Sequence, residues 1–522
     1  MSAHIAHHAP VRGERQRPWL PAALAALLAV ALYAVTIGAN YIFDDVGILL
    51  NDPRLTEPAL WGEYWTQGYH DGVDNLYRPL TSMTYALQWS LHGLEHPWAF
   101  HLVNVLLHAA VCAAVAELAR RLSDARVALL AGLLFAAHPI HVEVVAMIVG
   151  RAEMLCALGT IGGMLLMLRR PIGIGRVFAI TGCFLLALLT KEQGMLFPLL
   201  LGFFAIGLWI NARRAGRPIT LTPLERRSLP WLVLLLCWIL AAYVYLREHV
   251  LPLKFWWDRT FLDWTINPMI HAEGLDRAMM PLVLLGRYTQ LLVAPWRMSI
   301  DYGGSVIGWS VRSDDPYLYL GAGAVVAWFI ATIIAWRLRD GIAVFALLAL
   351  AATYGIVGNI VTLIGTNFGE RLMYIPSIFF ILLVSWWLMR LPRRAVVVIA
   401  SIVLLLASVR TVSYAARWTD RLALYEYSLE QQPRSIRIHM LVISELQSRG
   451  RLEEAEQSAA RAREVEPQYW SIWVQSALIA MELGKFDEAE AFLTRAMELS
   501  PQPGIAAMRE DIPQRRAERE EK

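Results

Sequence analysis

The sequence predicts an all-α protein, in which a bundle of membrane-spanning helices is followed by a short α-solenoid. The chain is 57% hydrophobic and 17% charged, and its mean hydropathy is +0.44. Both values indicate that most of the 522 residues lie in lipid. The C-terminal part differs, because Pro433, Pro467 and Pro501 recur there with a period of 34 residues, as they do in stacked helical pairs.

About eleven segments are apolar and long enough to cross the hydrocarbon core, if short helices covered by neighbours are included. They are residues 19–41, 99–119, 127–138, 152–168, 177–190, 195–211, 229–246, 317–336, 341–362, 372–389 and 395–411. One further apolar stretch, 279–294, is predicted to be re-entrant or interfacial within the long loop 247–316. A full crossing there would reverse the orientation of the later loops.

The orientation follows from Lys and Arg, which are enriched in short cytoplasmic loops. Five alternate connections are basic, at residues 120–126, 169–176, 213–227, 337–339 and 390–394. We therefore place the N-terminus, with a disordered leader over residues 1–18, in the cytoplasm. An odd number of crossings then places residues 413–522 outside. Compact basic loops and no signal peptide lead us to expect a bacterial inner-membrane protein with its C-terminal part in the periplasm.

The C-terminal part is predicted to be a tetratricopeptide-type array. Residues 450–467 align with residues 484–501 without a gap, and small residues lie where paired helices approach each other. We expect repeats over residues 413–505, including a half repeat around Trp418 that docks onto the last span, because two repeats alone bury little core. A charged tail over residues 506–522 is expected to be frayed from Glu510 onward.

Several classes of function find no support. Lys and Arg (47) nearly balance Asp and Glu (44), and the formal net charge is only +3, so a nucleic-acid partner is not expected. No Walker-type phosphate loop, nucleophile elbow or kinase signature occurs in the sequence. Four cysteines lie within apolar stretches, which argues against disulfides or a zinc site: Cys112, Cys156, Cys183 and Cys237.

Two adjacent carboxylates, Asp44 and Asp45, follow the first predicted span directly. Acids at a membrane surface are partly desolvated and repel each other, so one of them should have a raised pKa. They could act as a general base that faces a lipid-borne substrate, or they could simply solvate a helix end. Arg78, later in the extracytoplasmic loop 42–98, could bind a phosphate or cap local structure.

Two motifs with ionisable side chains lie between or just inside apolar helices. The first contains His138, His141 and Glu143, and the second contains Arg151 and Glu153. Ionisable residues in such positions indicate function by default. Imidazole and carboxylate suit zinc or manganese, but the spacing is not that of HExxH, and a hydrogen-bonded network around a sugar hydroxyl fits as well. We predict an active-site role and assign no metal ligand.

Two further motifs place a cation at the outer membrane surface, Lys191 beside Glu192 and Arg371 beside Glu370. Each cation could neutralise a lipid phosphate, whose charge otherwise meets a low dielectric. Alternatively, each could pair with an acid of its own motif. Because both cations face the same compartment, we favour the phosphate.

The long loop 247–316 is aromatic and could line a groove for a lipid or an acceptor. Its tryptophans suit the headgroup level of a bilayer: Trp256, Trp257, Trp264 and Trp296. Asp301, which precedes Tyr302 and two glycines, is predicted only to form a turn.

Taken together, these motifs resemble one known family, the transmembrane and tetratricopeptide-repeat-containing protein O-mannosyltransferases, within the GT-C superfamily of polyprenyl-linked glycosyltransferases. The resemblance covers nearly the whole chain. It rests on motifs that occur in the family's order at residues 43–46, 77–81, 100–108, 138–143, 150–153, 191–194 and 370–377.

The resemblance implies a transmembrane catalytic domain of GT-C type over residues 19–412. It would transfer a hexose, mannose in the family, from a polyprenyl or dolichyl phosphate to an acceptor hydroxyl, with inversion at the anomeric carbon. Asp44 or Asp45 would be the base, and a cation would stabilise the departing lipid phosphate. The donor's phosphate and sugar would be bound by the remaining polar residues of the motifs: Arg78, His138, His141, Glu143, Arg151, Glu153, Lys191, Glu192 and Arg371.

The resemblance also implies partners. The repeats would capture or orient a protein acceptor, at Ser or Thr, on the outer face. The lipid-linked sugar is the only cofactor implied, and the use of a divalent cation is left open.

Two other classes of function were compared with the enzyme. A non-catalytic transporter or flippase would have broken helices and ionisable residues at mid-membrane on inverted repeats, and the sequence shows no such internal symmetry. An assembly scaffold that works through its repeats would leave the outer-face motifs without a role. We therefore prefer the glycosyltransferase.

Overall fold

The structure of the protein is a computed structural model, and it describes residues 17–69, 76–217, 219–251 and 263–520. All regular secondary structure within these ranges is helical, which confirms the all-α prediction. The predicted leader, except for its last two residues, lies outside the described residues. So do Trp256 and Trp257 of the long loop.

Fifteen α-helices, α1 to α15, form the N-terminal part of the described chain. They are Leu20–Tyr33, Pro53–Thr56, Pro79–His92, Pro97–Leu122, Ala125–Ala137, Val142–Ala146, Arg151–Met167, Ile174–Thr190, Phe197–Arg214, Pro223–Tyr245, Gly274–Val293, Pro316–Arg337, Gly341–Val357, Tyr374–Leu388 and Arg393–Ala415. Short 3₁₀ helices extend several of them, such as Glu192–Leu196 before α9 and Glu370–Met373 before α14.

Eight helices in the described residues are long and apolar enough to cross a membrane, and a ninth is obtained if one bent pair counts as a single span. Two shorter apolar helices, Ile174–Thr190 and Gly341–Val357, complete the set. Each predicted span corresponds to one of these helices, so the chain is an integral membrane protein. The number of full crossings stays a prediction. The stretch 279–294 lies in the continuous helix α11, which is not one of the candidate spans.

The bent pair explains why the third predicted span differs from a straight helix. The chain bends by 54° between Ala125–Ala137 and Pro139–Ala146. His138 has extended backbone with ψ 122°, because a residue before proline is disfavoured in the α region. The bend turns the segment that carries Glu143 back into the protein.

Seven further helices, α16 to α22, form the C-terminal part of the described chain. They are Arg421–Gln431, Ile436–Ser448, Leu452–Val465, Trp470–Leu483, Phe486–Leu499, Pro503–Glu510 and Ile512–Glu520. The pairs α17–α18 and α19–α20 are the two predicted repeats, and α16 is the half repeat. Ala455, Ala459 and Ala462 are fully buried where α18 packs, as the close approach of paired helices requires.

The charged tail differs from the expected frayed segment, because Ile512–Glu520 is helical. Ile505 and Ile512 are buried against the last repeat. The Arg519 guanidinium donates to the carbonyl oxygens of Met481 (3.3 Å) and Glu482 (2.6 Å) at the end of α19. Two apolar side chains and one cation at a helix C-terminus are enough to order the tail, although its sequence lacks a regular apolar pattern.

The two parts share one apolar core. The cluster that fills the helical bundle continues through Tyr414 and Trp418 into α16, α17 and α18. Trp418 is fully buried at the junction. The array is therefore packed onto the bundle rather than tethered to it by a linker.

Candidate functional site

The turn after the first span sends its two aspartates in opposite directions. Phe43 has a positive φ of 55°, a conformation that costs a non-glycine residue about 1–3 kcal/mol. Asp45 points inward and is fully buried. It accepts hydrogen bonds from the backbone N–H groups of Val149 (3.0 Å) and Ile42 (3.3 Å). The Asp44 side chain is 31% exposed.

Burial raises the pKa of Asp45 to about 7, and the neighbouring Asp44 carboxylate adds to the rise. The hydrogen bonds from backbone N–H groups oppose it but do not cancel it. The predicted raised pKa of one acid in the pair is thus found at Asp45. Because this carboxyl has no access to solvent, the raised pKa reflects its buried position.

Asp44 pairs with Arg371, at the start of α14. The guanidinium Nη1 lies 2.5 Å from Asp44 Oδ2. Glu143 holds the same arginine from the other side, since its carboxylate accepts the Arg371 backbone N–H at 2.8 Å and lies 3.6 Å from the guanidinium. Glu143 is 3% exposed. Three residues from distant parts of the chain therefore meet at one point.

Two more ion pairs adjoin this one. Lys191 donates to Glu153, and both side chains are buried. Arg78 forms a forked pair with Glu192, with nitrogen to oxygen distances of 3.1, 3.1 and 2.7 Å. The Arg78 guanidinium also lies 5.0 Å from the centre of the Tyr69 ring. Lys191 and Arg371 thus pair with acids of other motifs, Glu153 and Asp44, whereas the alternative expected each to pair with an acid of its own motif.

The three pairs form a single ionic cluster, because the Glu153 carboxylate interacts electrostatically with Arg371, Arg78 and Lys191. We define the ionic cluster as Asp44, Arg78, Glu143, Glu153, Lys191, Glu192 and Arg371. It contains four acids and three cations. A phosphate binds to cations. A bound phosphate would therefore compete with the four acids for the three cations of the cluster.

Arg151 lies beside the cluster, but its donors are directed to protein acceptors. Its Nε and Nη2 donate to the side-chain oxygens of Asn104 (3.1 Å) and Gln88 (2.7 Å), and the residue is 1% exposed. Asn104 in turn donates to the carbonyl oxygens of Met147 and Ile148, directly before the Val149 N–H that binds Asp45. This geometry favours a bracing role for Arg151 over the predicted phosphate contact.

The two histidines are separate from the ionic cluster. His138 accepts the Ile140 N–H at its Nδ1 (3.3 Å) and lies 3.0 Å from the Leu292 carbonyl at its Nε2. His141 is fully buried, with Phe135 and Ser377 as its partners. Both rings therefore stabilise the bend before Glu143 and do not face the cluster. Among the described residues, no group of three or more His, Cys, Asp or Glu could hold a metal ion.

Sequence reasoning missed the role of Asp301, which was assigned only to a turn. Its carboxylate is nearly buried and pairs with Arg437 of the array at 2.5 Å. The same turn supplies two donors to Glu370, the Ser299 N–H (2.8 Å) and the Tyr302 hydroxyl (2.7 Å). No local sequence signal reveals this link, because its partners are far apart in the chain.

These features define a class of protein: a polytopic membrane protein in which an ionic cluster lies beside a docked tetratricopeptide array. Residues 446–512 match the family model described as tetratricopeptide repeat. The chain is 26% identical over 468 residues to protein O-mannosyl-transferase F38B6.6 of Caenorhabditis elegans, which covers 85% of this chain and 62% of the relative. The resemblance to protein O-mannosyl-transferases is thereby confirmed.

Other relatives give the same result. Protein O-mannosyl-transferase Tmtc3 of Drosophila melanogaster is 24% identical over 91% of this chain and 58% of its own length. Human protein O-mannosyl-transferase TMTC2 is 40% identical over 133 residues, which are 24% of this chain and 16% of the relative. The chain thus spans less than two thirds of the length of these relatives.

A comparison of solved structures finds ArnT from Cupriavidus metallidurans bound to undecaprenyl phosphate. The TM-score is 0.44 and the sequence identity is 17%, over 91% of this chain and 79% of that chain.

Proposed function

We propose that this protein is a membrane glycosyltransferase that transfers a hexose, mannose in its relatives' names, from a polyprenyl-phosphate donor to an acceptor hydroxyl. The observation that carries the proposal is the Asp44–Arg371 pair. A carboxylate and a guanidinium, exposed by 31% and 24%, meet at 2.5 Å within an ionic cluster whose other members are less exposed. Transfer from a sugar phosphate needs a base for the acceptor hydroxyl and a cation for the phosphate, and this pair supplies one of each.

Asp44 is the base in this proposal, and Asp45 is not. A general base must reach the proton that it removes, and the fully buried Asp45 is already bound to two backbone N–H groups. Its role is to fix the turn that presents Asp44. Asp44, by contrast, is 31% exposed and accepts a hydrogen bond from Arg371 Nη1, so a substrate can approach its carboxylate.

At the anomeric carbon the reaction forms one bond and breaks one, and a proton moves from the acceptor to Asp44. The acceptor oxygen attacks the anomeric carbon as Asp44 takes the hydroxyl proton. The bond from that carbon to the phosphate oxygen breaks, and the lipid phosphate leaves with the bonding electrons. Attack opposite the leaving group inverts the anomeric configuration. Arg371, Lys191 and Arg78 are the cations available to stabilise the developing phosphate charge, while Glu143 orients Arg371.

The acceptor is proposed to be Ser or Thr of a protein that the array presents on the extracytoplasmic face. The basic loops support this orientation, and the array is packed against the turn that carries Asp44. We also propose that the membrane is a bacterial inner membrane, in which case the extracytoplasmic array is periplasmic. The lipid-linked sugar is the only cofactor required by this scheme.

The test is transfer of labelled mannose from polyprenyl-phosphate mannose to a short Ser/Thr peptide by the purified full chain in detergent. Asp44→Asn should lower kcat by at least about 100-fold, because an amide cannot accept the proton. Asp45→Asn should keep much more activity if its fold is intact. Full loss in Asp45→Asn with activity retained in Asp44→Asn would reverse the assignment. An inactive wild type across several sugars and acceptors would favour a transporter or scaffold.

A further inference from the structure

The array contacts the turn that presents Asp44. The Arg421 Nε donates to the Tyr41 carbonyl at 2.7 Å. The Tyr425 hydroxyl also interacts electrostatically with the backbone of Phe43. The Arg437 guanidinium lies 5.5 Å from the centre of the Phe43 ring. Side chains from α16 and α17 therefore hold the residues that directly precede the proposed base.

This turn needs such support because Phe43 has a positive φ. A side chain other than glycine keeps that conformation only where its surroundings fix it. Tyr41 and Ile42 are buried on the side of the bundle, and the array closes the other side. The conformation that separates Asp44 from Asp45 thus depends on contacts that α16 and α17 supply.

A second contact leads from the array toward Arg371. The Ser435 hydroxyl and the Arg437 guanidinium both donate to Asp301, at 2.7 Å and 2.5 Å. The turn around Asp301 donates two hydrogen bonds to Glu370. Glu370 directly precedes Arg371. Both members of the Asp44–Arg371 pair therefore follow a residue whose position the array helps to fix.

We infer that α16 and α17 are a structural part of the active site, in which Arg421, Tyr425 and Arg437 are positioning residues that aim Asp44 at Arg371. The array then governs the rate of sugar transfer itself, in addition to any capture of the acceptor. This inference rests on the proposed function for its kinetic consequence. Its structural consequence, the conformation of the turn, can be measured separately.

The kinetic test separates positioning from capture. The full chain is given labelled polyprenyl-phosphate mannose with either water or a short Ser/Thr peptide as acceptor. Arg421→Ala and Arg437→Ala should lower kcat about tenfold or more for both acceptors, because small misplacements of catalytic groups are costly. The KM for the peptide should change less than about twofold. Arg421→Lys should restore much of the rate, since an ammonium can still donate to the Tyr41 carbonyl.

The matched control is Lys485→Ala, which removes an array cation paired with Glu456 inside the repeats. It should leave both rates unchanged. An array that only captures acceptors predicts the opposite pattern, in which Arg421→Ala and Arg437→Ala raise the KM for the peptide and leave hydrolysis of the donor untouched. That result, or an equal loss in the control, would overturn the inference.

Hydrogen exchange tests the inference without any activity. Tyr425→Phe removes only a hydroxyl and is the variant least disruptive to folding. In it, and in Arg421→Ala, the backbone amides of residues 43–46 should exchange about tenfold faster than in wild type, while Lys485→Ala matches wild type. Unchanged exchange in both variants would overturn the inference. If the wild type transfers no mannose, the proposed function fails, and this measurement still decides the role of the array in the turn.

Discussion

The Asp44 carboxylate and the Arg371 guanidinium lie 2.5 Å apart, although 327 positions separate them in the chain. The strained backbone at Phe43 aims the acid, and Glu143 fixes the arginine through its backbone and its side chain. The remaining members of the ionic cluster are less exposed than this pair. The pair is therefore the part of the cluster that a substrate reaches most easily.

Arg371→Gln should lower the kcat for transfer by about 100-fold or more, because the departing phosphate loses its adjacent cation. Arg371→Lys should be less damaging, since the positive charge is kept and only the planar guanidinium is lost. Steady-state transfer from polyprenyl-phosphate mannose measures both. Arg312→Gln is the control, because Arg312 is 78% exposed and pairs with the exposed Asp314. Activity of Arg371→Gln within twofold of wild type would exclude Arg371 from the reaction.

Lys191→Met should destabilise the protein strongly, because it leaves the buried Glu153 carboxylate without its partner. Loss of one member of a buried ion pair typically costs about 3–5 kcal/mol. The double variant Glu153→Gln, Lys191→Met should be more stable than the sum of the two single changes predicts. Thermal unfolding of the three variants in detergent measures this coupling. Additive effects would show that the two side chains do not stabilise each other.

Asp45 should make the stability of the protein depend on pH. Its folded pKa of about 7 lies above the ordinary value, so the folded state binds more protons than the unfolded state between about pH 4 and pH 7. Stability is therefore highest at the acidic end of this range and falls as the pH rises through it, by at most about 1.4 kcal/mol per pH unit from this group.

The check is the thermal midpoint of wild type and Asp45→Asn from pH 5 to pH 8. The amide keeps one acceptor oxygen and loses one backbone hydrogen bond, which costs about 1 kcal/mol, but it does not ionise. The variant should thus be less stable at pH 5, and the difference should shrink or reverse by pH 8. A difference that stays constant over this range would contradict the raised pKa.

Gly321 should not tolerate a side chain, because a Cβ there would collide with the Leu282 carbonyl where α12 crosses α11. Gly321→Ala should destabilise the protein by about 1–3 kcal/mol through overpacking. Gly323 lies in the same helix and has open space around it, so Gly323→Ala is a matched control that should be neutral or slightly stabilising. Equal thermal unfolding midpoints for the two variants would contradict this prediction, because they would mean that α11 and α12 move apart without loss of stability.

Much of the fold could be predicted because it depends on patterns within short segments. Apolar length located the spans, and the 34-residue period located the repeats. The bend at His138–Pro139 and the ordered tail at Ile512 differ from the predictions. Both depend on individual residues or contacts, which hydropathy averaged over a segment does not reveal.

The candidate site could be predicted only as a set of residues. The sequence identified all seven members of the ionic cluster but not which of them pair. Lys191 and Glu192 are adjacent in the chain, yet Lys191 pairs with Glu153 and Glu192 pairs with Arg78. Arg151 belonged to the same predicted set and instead braces the Asn104 side chain. Charge and proximity to a span are visible in the sequence, whereas the direction of a side chain depends on the helices packed around it.

The sequence by itself determined the helical class, the repeats and the polar motifs, because apolar length and periodicity are local properties that any packing must satisfy. Only the tertiary structure decided that Asp44 faces Arg371 while Asp45 is buried, and that the array holds the turn between the bundle and the repeats. These relationships join residues hundreds of positions apart, and burial and backbone strain, which no local pattern encodes, determine their geometry.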